Sequence, residues 1–331
     1  MASPGQSTLF TVFSELVSTT YRKHAKEVAD NVTRHNALFR RLTSKGRLRT
    51  EDGGLSIVQP LEYAANSNYQ RYSGYDTLSI AAVDVLSAAE FPWRQVAVNV
   101  AASGLELRSN MGESRIVNFV KAKIRNAENS MKNGLSVDLY SDGTASNQIG
   151  GIQAIVADAG TGTVGGINSS TFPFWQNIVQ SAAAPLQGGS AITLSATTME
   201  GFMAPLYYKL TRGTDQPDMV VMSDDYFNFF EQSQVSLKRY APTDSNTSGT
   251  AGFVSLKYKN ADVFFDSSGG IPAAHAYFLN TDYLELVAHR DANMTMMDEL
   301  RSVNQDAVVI PILFQGNLVC SARFLQGVCK A

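Results

Sequence analysis

Three glycines, Gly160, Gly162 and Gly165, have the spacing of a dinucleotide-binding fingerprint, the pattern in this sequence that is nearest to cofactor chemistry. In that fingerprint the glycines allow a pyrophosphate to approach the N-terminus of the following helix. Here the next residues, Gly166–Pro173, cannot begin a helix at once, and no acidic residue follows about twenty positions later to hold a ribose. The loop also lacks the lysine of a phosphate-binding P-loop. The pattern therefore favours a glycine-rich turn over a cofactor site.

The four histidines show no metal-binding pattern. His24, His35, His275 and His289 form neither HxH nor HExxH, and His24 and His35 are too far apart along a helix to share a metal ion. No serine stands in a GxSxG motif. Because triads can assemble from distant residues, the missing motifs do not exclude an enzyme. The sequence predicts no catalytic, cofactor-binding or metal-ligating residue, and we expect no cofactor.

Two neighbouring acids and two cysteines are better explained by structure than by chemistry. Asp224 and Asp225 follow Ser223 before a short aromatic stretch, where we expect them to cap a helix rather than bind a cation. Cys320 and Cys329 form neither a CxxC pair nor a disulfide framework, so we expect two reduced, partly buried thiols. With no evident signal peptide and no long apolar run, the sequence predicts a soluble protein made in a reducing compartment.

The charge of the chain is unevenly distributed. Its net charge is −3, yet residues 1–50 hold nine basic and three acidic side chains, so this segment carries +6 and the remainder −9. The basic side chains are Arg22, Lys23, Lys26, Arg34, Arg40, Arg41, Lys45, Arg47 and Arg49. This asymmetry favours an arm with an acidic partner, either nucleic acid or the acidic body of a sister subunit; a solvated helix face is the alternative. The charged fraction of 17% is low, which suits a surface covered by neighbours.

Periodicity predicts an α+β chain whose first half holds two helices and a ribbon. Apolar spacing predicts a helix within 9–42, and alternation over 55–100 predicts two strands around Ser87–Glu90 that form a long antiparallel ribbon. An isolated two-stranded ribbon is marginally stable in water, so it must pack on its own domain or on a neighbour. The clearest helix spans 111–133 and is expected to end at Gly134.

The second half of the chain is predicted to contain a mixed sheet with short helices. A stretch rich in Gly, Ser and Thr that ends at Ser170 marks a boundary, and 242–252 is predicted to be a loop. A helix follows Ser195, and Pro205 within it predicts a kink or a later start. The predicted strands are Met219–Met222, Phe253–Phe265, Ala274–Leu279, Val308–Phe314 and Leu318–Leu325.

Several short segments, taken in order, resemble the major capsid proteins of tailed bacteriophages, which have the HK97-like fold. The segments are Trp93–Gln95, Ala102–Glu106, Asn110–Gly112, Ala127–Ser130, Leu139–Thr144, Gly150–Ala154, Gly165–Thr171, Phe174–Asn177, Ala276–Leu284 and Gln315–Val319. Each segment alone is weakly specific, but together they span roughly residues 90–325. The tract before Leu55 matches no motif of that family.

The resemblance implies a structural protein that self-assembles as hexamers and pentamers of an icosahedral phage head around double-stranded DNA. Its ribbon would lie over the adjacent subunit, and its virion would be assembled in the cytoplasm of a bacterial host. Scaffolding, portal and decoration proteins are implied as further partners, with non-specific contact to packaged DNA and no membrane contact. Because the ribbon begins by about Leu55, we expect no large fused scaffold, and no crosslinking residue can be carried over.

The resemblance also divides the chain into regions. They are an N-terminal arm (1–54), an extended β-ribbon loop (55–100), a peripheral domain with the spine helix (101–145), an axial domain (146–273) and the return strands of the peripheral domain (274–331). Two alternatives stay open. One is a soluble α/β nucleotide-binding enzyme that uses Gly160–Gly166, and the other is a minor structural protein of a virion.

Overall fold

The computed structural model describes residues 36–79, 81–109, 113–238, 256–266, 270–298, 300–301 and 305–331. Its α-helices are α1 (Ala37–Ser44), α2 (Gly104–Ser109), α3 (Glu113–Asp138), α4 (Ile152–Ile155), α5 (Met199–Leu210) and α6 (Asp224–Lys238). Its strands are β1 (Leu48–Glu51), β2 (Ser56–Glu62), β3 (Leu86–Pro92), β4 (Arg94–Ser103), β5 (Thr163–Val164), β6 (Ile167–Asn168), β7 (Ile178–Ser181), β8 (Met219–Met222), β9 (Leu256–Tyr258), β10 (Ala261–Phe265), β11 (His275–Leu279), β12 (Leu284–Met296), β13 (Leu300–Arg301), β14 (Ala307–Cys320) and β15 (Gly327–Lys330). Short 3-10 helices occupy Pro173–Trp175, Thr281–Tyr283 and Arg323–Leu325. The predicted α+β class is confirmed.

A five-stranded sheet forms one part of the body. β1, β12, β14 and β13 are neighbours in that order, and β4 pairs with β14 along its whole length. β1 runs parallel to β12, whereas the other pairs are antiparallel. In β4 the alternation has a clear structural meaning, because Val96, Val98 and Val100 pack against the core while Ala97 and Asn99 are exposed.

The long helix α3 contacts β4 and extends further than its sequence pattern predicts. The predicted end at Gly134 is wrong, since the helix continues to Asp138. Its buried stripe goes on through Leu135 and, just past the helix end, Leu139, each only 3% exposed. A glycine inside a helix costs only about 1 kcal/mol, whereas burying a leucine contributes about 1.5–3 kcal/mol. The 26 residues of α3 make a rod about 39 Å long.

A six-stranded sheet forms the second part of the body, in the order β7-β15-β11-β8-β10-β9. The predicted strand Met219–Met222 is confirmed as β8, and all four of its side chains are fully buried. Helices α5 and α6 share a hydrophobic cluster with this sheet. The helix predicted after Ser195 is α5, which begins at Met199 and continues through Pro205 to Leu210. Strong burial of one helix face thus outweighs the local cost of the proline.

The ribbon is formed by β2 and β3, which pair from Ser56 opposite Pro92 to Glu62 opposite Leu86. The ribbon turn expected at Ser87–Glu90 is therefore wrong, because these residues lie inside β3, whereas the alternating run that follows them is confirmed as strand in β3 and β4. This stretch offers no glycine, proline or asparagine, the residues that favour a tight hairpin turn. The described residues between 63 and 85, which exclude Ile80, form the end of the ribbon and contain no helix or strand.

The strand predicted over Leu318–Leu325 is also corrected. β14 ends at Cys320, a 3-10 helix follows at Arg323–Leu325, and only then does the last strand, β15, begin. Strands within the other predicted ranges are confirmed as β9 to β11 and β14. Most of the helix predicted over 9–42, and the loop over 242–252, lie outside the described residues. Among the residues that the structure describes, none of the helices combines the length and apolarity needed to cross a bilayer.

Candidate assembly surface

The ribbon is anchored to the body through one of its two faces. Ile57 and Leu61 of β2, together with Ala89 and Phe91 of β3, are buried at alternate positions. These four side chains share a hydrophobic cluster with three residues of the body, Trp175, Val287 and Val319. Successive side chains of a strand point to opposite faces, so the pattern buries one face and leaves the other to solvent. The base of the ribbon is thus fixed within the subunit.

The end of the ribbon is an exposed segment rich in aromatic residues. Every residue from 69 to 79 is exposed, and the side chains of Tyr69, Tyr72 and Tyr75 are 82%, 65% and 106% exposed. The segment is held in shape by bonds across the loop: Asn68 Nδ2 donates to Ala81 O at 2.6 Å, and Gln70 Nε2 donates to Thr77 O at 3.1 Å. Clustered exposed tyrosines on an ordered segment are typical of a protein interface.

The glycine-rich motif lies against the base of the ribbon. Gly165 (φ +57°) and Gly166 (φ +76°) form the two-residue turn between β5 and β6, a geometry that requires positive φ at both positions. No helix begins there, so the fingerprint geometry is not formed. The Glu90 amide of β3 instead donates to Gly165 O at 2.9 Å. A Cβ atom at position 165 would lie 2.8 Å from the Cβ of Ala89, so only glycine fits under the ribbon.

Four basic side chains in and between α1 and β1 form ion pairs with acidic residues of the same subunit. The ion pairs join Arg41 to Asp218 and Asp262, Lys45 to Asp218 and Asp282, Arg47 to Asp282 and Glu285, and Arg49 to Glu51 and Glu285, over N–O distances of 2.9–3.6 Å. These four residues have acidic partners in their own subunit, and a contact of theirs with nucleic acid or a sister subunit stays a prediction. The basic side chains at positions 22, 23, 26 and 34 lie outside the described residues.

The pKa of Asp218 reflects this arrangement. Burial raises the pKa of the carboxyl, but hydrogen bonds from the backbone and hydroxyl of Thr281, and the ammonium of Lys45, outweigh burial and hold the pKa below its ordinary value. The Thr281 amide and hydroxyl each donate to Asp218 at 2.7 Å. The carboxylate is therefore stabilised in its charged form, which is the form that holds α1.

The remaining candidates for chemistry have structural partners. His275 Nε2 lies 3.0 Å from Asp158 Oδ2, and the ring of His289 packs edge-on against Trp93; His24 and His35 lie outside the described residues. Asp224 and Asp225 lie in the first turn of α6, where Asp225 Oδ1 accepts from the Tyr226 amide at 2.9 Å, so the expected role at the helix start is supported for Asp225. Within the described part of the chain, no three His, Cys, Asp or Glu residues are grouped as a metal site would need.

The two cysteines are more deeply buried than expected. Cys320 and Cys329 are both fully buried and free, in two different hydrophobic clusters. Burial raises the pKa of the Cys320 thiol to about 12 and that of the Cys329 thiol well above its ordinary value. A thiol that stays protonated and inaccessible is neither a nucleophile nor a metal ligand, so both cysteines act as small apolar side chains.

Solved structures similar to this chain are phage capsids. The capsid of cyanophage A-1(L) matches with a TM-score of 0.58 at 18% identity, covering 86% of this chain and 90% of that one. The chain has the HK97-like fold of phage capsid proteins. The capsid of Myoviridae phage XM1 matches with a TM-score of 0.51 at 11% identity, over 88% of this chain and 91% of that chain.

This chain also matches the procapsid of satellite phage P4 that includes the size-determination protein. Its TM-score is 0.51 at 9% identity, over 92% of this chain and 90% of that one. No family model matches the sequence, and the search of curated proteins finds no match either. The likeness is therefore one of fold over nearly the whole length of both chains, as the ordered segments of the sequence predict.

Proposed function

We propose that this chain is the major capsid protein of a tailed bacteriophage, a structural protein that self-assembles into hexamers and pentamers of an icosahedral head around double-stranded DNA. The observation that carries the proposal is the ribbon. Its base is buried in its own subunit, whereas its end presents exposed tyrosines on a chain with a capsid fold. An exposed aromatic segment that is ordered in one subunit supports a contact with the next subunit.

The two sheets suggest how the regions of the subunit divide. The five-stranded sheet and α3 correspond to the peripheral domain with its spine helix, and the six-stranded sheet corresponds to the axial domain. Within 274–331, β12 and β14 belong to the first sheet, whereas β11 and β15 belong to the second. We therefore assign the return segment to both domains. The N-terminal arm would then be docked on its own subunit from Arg41 to Arg49.

Further partners follow from this role. Scaffolding and portal proteins would guide assembly, decoration proteins could bind the finished head, and the basic side chains before residue 36 could contact packaged DNA without reading its sequence. The finished protein would reside in the virion, after assembly in the cytoplasm of the bacterial host.

Electron microscopy of the expressed chain, with and without its phage partners, tests the proposal. We expect closed shells or capsomers. A chain that remains strictly monomeric at high concentration under both conditions contradicts it. Copy number separates a major from a minor virion protein, because a major capsid protein must be the dominant band of the purified particle. Thermal unfolding with NAD, ATP or FAD tests the nucleotide-binding alternative. We expect no shift in the unfolding temperature, since the space beside Gly165 is filled by Ala89 and Phe91 of the ribbon.

A further inference from the structure

Arg323 is a buried charge whose hydrogen-bond acceptors are all uncharged. The side chain is fully buried in the 3-10 helix before β15. Its Nε donates to Ile155 O, Nη1 donates to Ser169 Oγ at 3.2 Å and to Trp175 O at 3.0 Å, and Nη2 donates to Asn177 Oδ1 at 2.9 Å. Burial lowers the pKa of Arg323 to about 10, so the guanidinium is charged at neutral pH. Desolvating a charge is costly, and here oriented dipoles compensate for it.

The four acceptors lie at the two ends of one segment, residues 155–177. This segment contains the β5–β6 hairpin, and Arg323 joins the chain that enters the hairpin to the chain that leaves it. Ser169 continues the connection, because its hydroxyl and its amide donate to Gly162 O at 2.8 Å and 3.0 Å. The indole of Trp175 donates to Val164 O at 2.9 Å. One guanidinium thus organises the backbone around the hairpin.

The same hairpin supports the base of the ribbon. Gly165 O accepts the Glu90 amide of β3, and the backbone of Gly165 lies against Ala89 and Phe91. Trp175, whose carbonyl binds Arg323, is 1% exposed and belongs to the cluster that buries the ribbon base. A continuous path of hydrogen bonds and packed side chains therefore runs from Arg323 to β3, with no step through solvent.

We propose that Arg323 is a positioning residue for assembly, which sets the direction in which the ribbon leaves the subunit by holding segment 155–177 in one arrangement. The inference rests on the proposed function, since that direction affects a particle only if the ribbon contacts a neighbour. A small change of angle at the ribbon base produces a larger displacement at Tyr69 and Tyr75, at the far end of the ribbon. Shell curvature would then be sensitive to a residue that contacts no neighbour itself.

The positions of the four acceptors explain why position 323 holds an arginine and not a lysine. Arginine presents several donors in a rigid planar fork, whereas lysine offers a compact point charge that cannot reach acceptors on several sides. Arg323→Met removes all four hydrogen bonds and leaves their acceptors without this partner. Arg323→Lys keeps the charge but not the planar fork. We therefore expect its exchange at the Glu90 amide and its particle diameters to lie between those of the unmodified chain and those of Arg323→Met. Ser169→Ala keeps Arg323 and the backbone bond to Gly162 but removes the hydroxyl that links the two, which provides a milder variant if Arg323→Met does not fold.

Hydrogen exchange of the unassembled subunit and electron microscopy of particles test the proposal together. In Arg323→Met, or in Ser169→Ala, exchange at the Glu90 amide should rise about tenfold or more relative to amides of β12 and β14. Particles should show a broad range of diameters or open sheets. Met203→Ala is the control, because Met203 is fully buried beside the second sheet in a cluster that excludes the ribbon. It should lower thermal stability yet leave the Glu90 exchange and the particle diameter unchanged.

Two results would overturn the inference. One is unchanged exchange at Glu90 in both Arg323→Met and Ser169→Ala. The other is an equal broadening of particle diameter in Met203→Ala at matched loss of thermal stability, which would make the effect one of general stability. If the unmodified chain forms no particles at all, the proposed function fails, while the exchange at Glu90 still decides whether Arg323 holds the ribbon base.

Discussion

Arg41 and Asp218, 177 positions apart in the chain, form an ion pair in which Nη2 of Arg41 lies 3.1 Å from Oδ2 of Asp218. The same carboxylate oxygen lies 2.9 Å from the ammonium of Lys45. Asp218 immediately precedes β8, so these contacts fasten helix α1 to the central strands of the six-stranded sheet. Arg41 and Lys45 therefore stabilise their own subunit, and we expect their removal to lower the free energy of unfolding first.

Reversing two of these charges, in Arg41→Glu with Arg47→Glu, should destabilise the subunit. The expected loss in the free energy of unfolding is about 1 kcal/mol for each partly exposed pair, with a further penalty from placing like charges together. Denaturant unfolding measures it, and Arg125→Glu, an exposed charge reversal on α3, is the control. Normal unfolding combined with defective packing of DNA would instead mean that these residues act on a partner.

Asp218 should also make the free energy of unfolding depend on pH in the acid range. Its pKa in the folded state lies below its ordinary value, so the folded protein binds this proton more weakly than the unfolded chain does. The contribution of Asp218 is therefore fully present above about pH 4 and is lost as the pH falls through the folded-state pKa. Asp218→Asn should lower stability at neutral pH and flatten the acid side of the profile.

Denaturant unfolding at a series of pH values between about 2 and 7 measures this dependence. Asp298→Asn, which removes one negative charge at an exposed position, is the matched control. An acid profile of Asp218→Asn that is parallel to that of the unmodified protein would contradict the role given to Asp218.

Substituting each of two adjacent glycines distinguishes the effect of backbone strain from the effect of a clash with the ribbon. Both Gly165→Ala and Gly166→Ala place a side chain at positive φ, which costs about 1–2 kcal/mol. At position 166 nothing lies within 4 Å of the added Cβ, whereas at position 165 it would meet Ala89 at 2.8 Å. Gly165→Ala should therefore be the more destabilising change and should alone impair assembly. Equal losses in thermal unfolding would show that the hairpin does not support the ribbon.

Removing the end of the ribbon should leave the fold intact. When residues 67–82 are replaced by a short Gly-Ser linker, β2, β3 and their buried face remain, so thermal unfolding should be nearly unchanged while assembly is lost. The triple change Tyr69→Ala, Tyr72→Ala and Tyr75→Ala should act likewise. Tyr208→Ala is the matched control, as Tyr208 is 66% exposed on α5. An unfolded subunit would mean that the exposed segment is needed for the stability of its own subunit.

Local patterns were sufficient for much of this fold, and long-range packing explains where they failed. β8 and α5 could be predicted because a short buried strand and an amphipathic helix carry their own signal. The end of α3 could not, because Leu135 and Leu139 are buried in a cluster whose members include residues far away in sequence, such as Ile310. The partner of β3 is set by the pairing of Ser56 with Pro92, which alternation alone does not specify.

The existence of the ribbon was predicted, but the position of its end was not. A ribbon was expected, yet its exposed end lies at 63–85, within the alternating stretch that predicted strand. The support under it could have been found, because Gly165 and Gly166 between Val164 and Ile167 are a hairpin signal as well as part of a cofactor fingerprint. Arg323 carries no local signal, since its acceptors lie about 150 residues earlier in the chain.

The most direct test of the account is a cryo-electron microscopy reconstruction of the particle that this chain forms. The account predicts closed shells in which the ribbon of each subunit crosses onto its neighbour and buries Tyr69, Tyr72 and Tyr75 there. Shells in which these three tyrosines remain exposed to solvent or fold back onto their own subunit would contradict it.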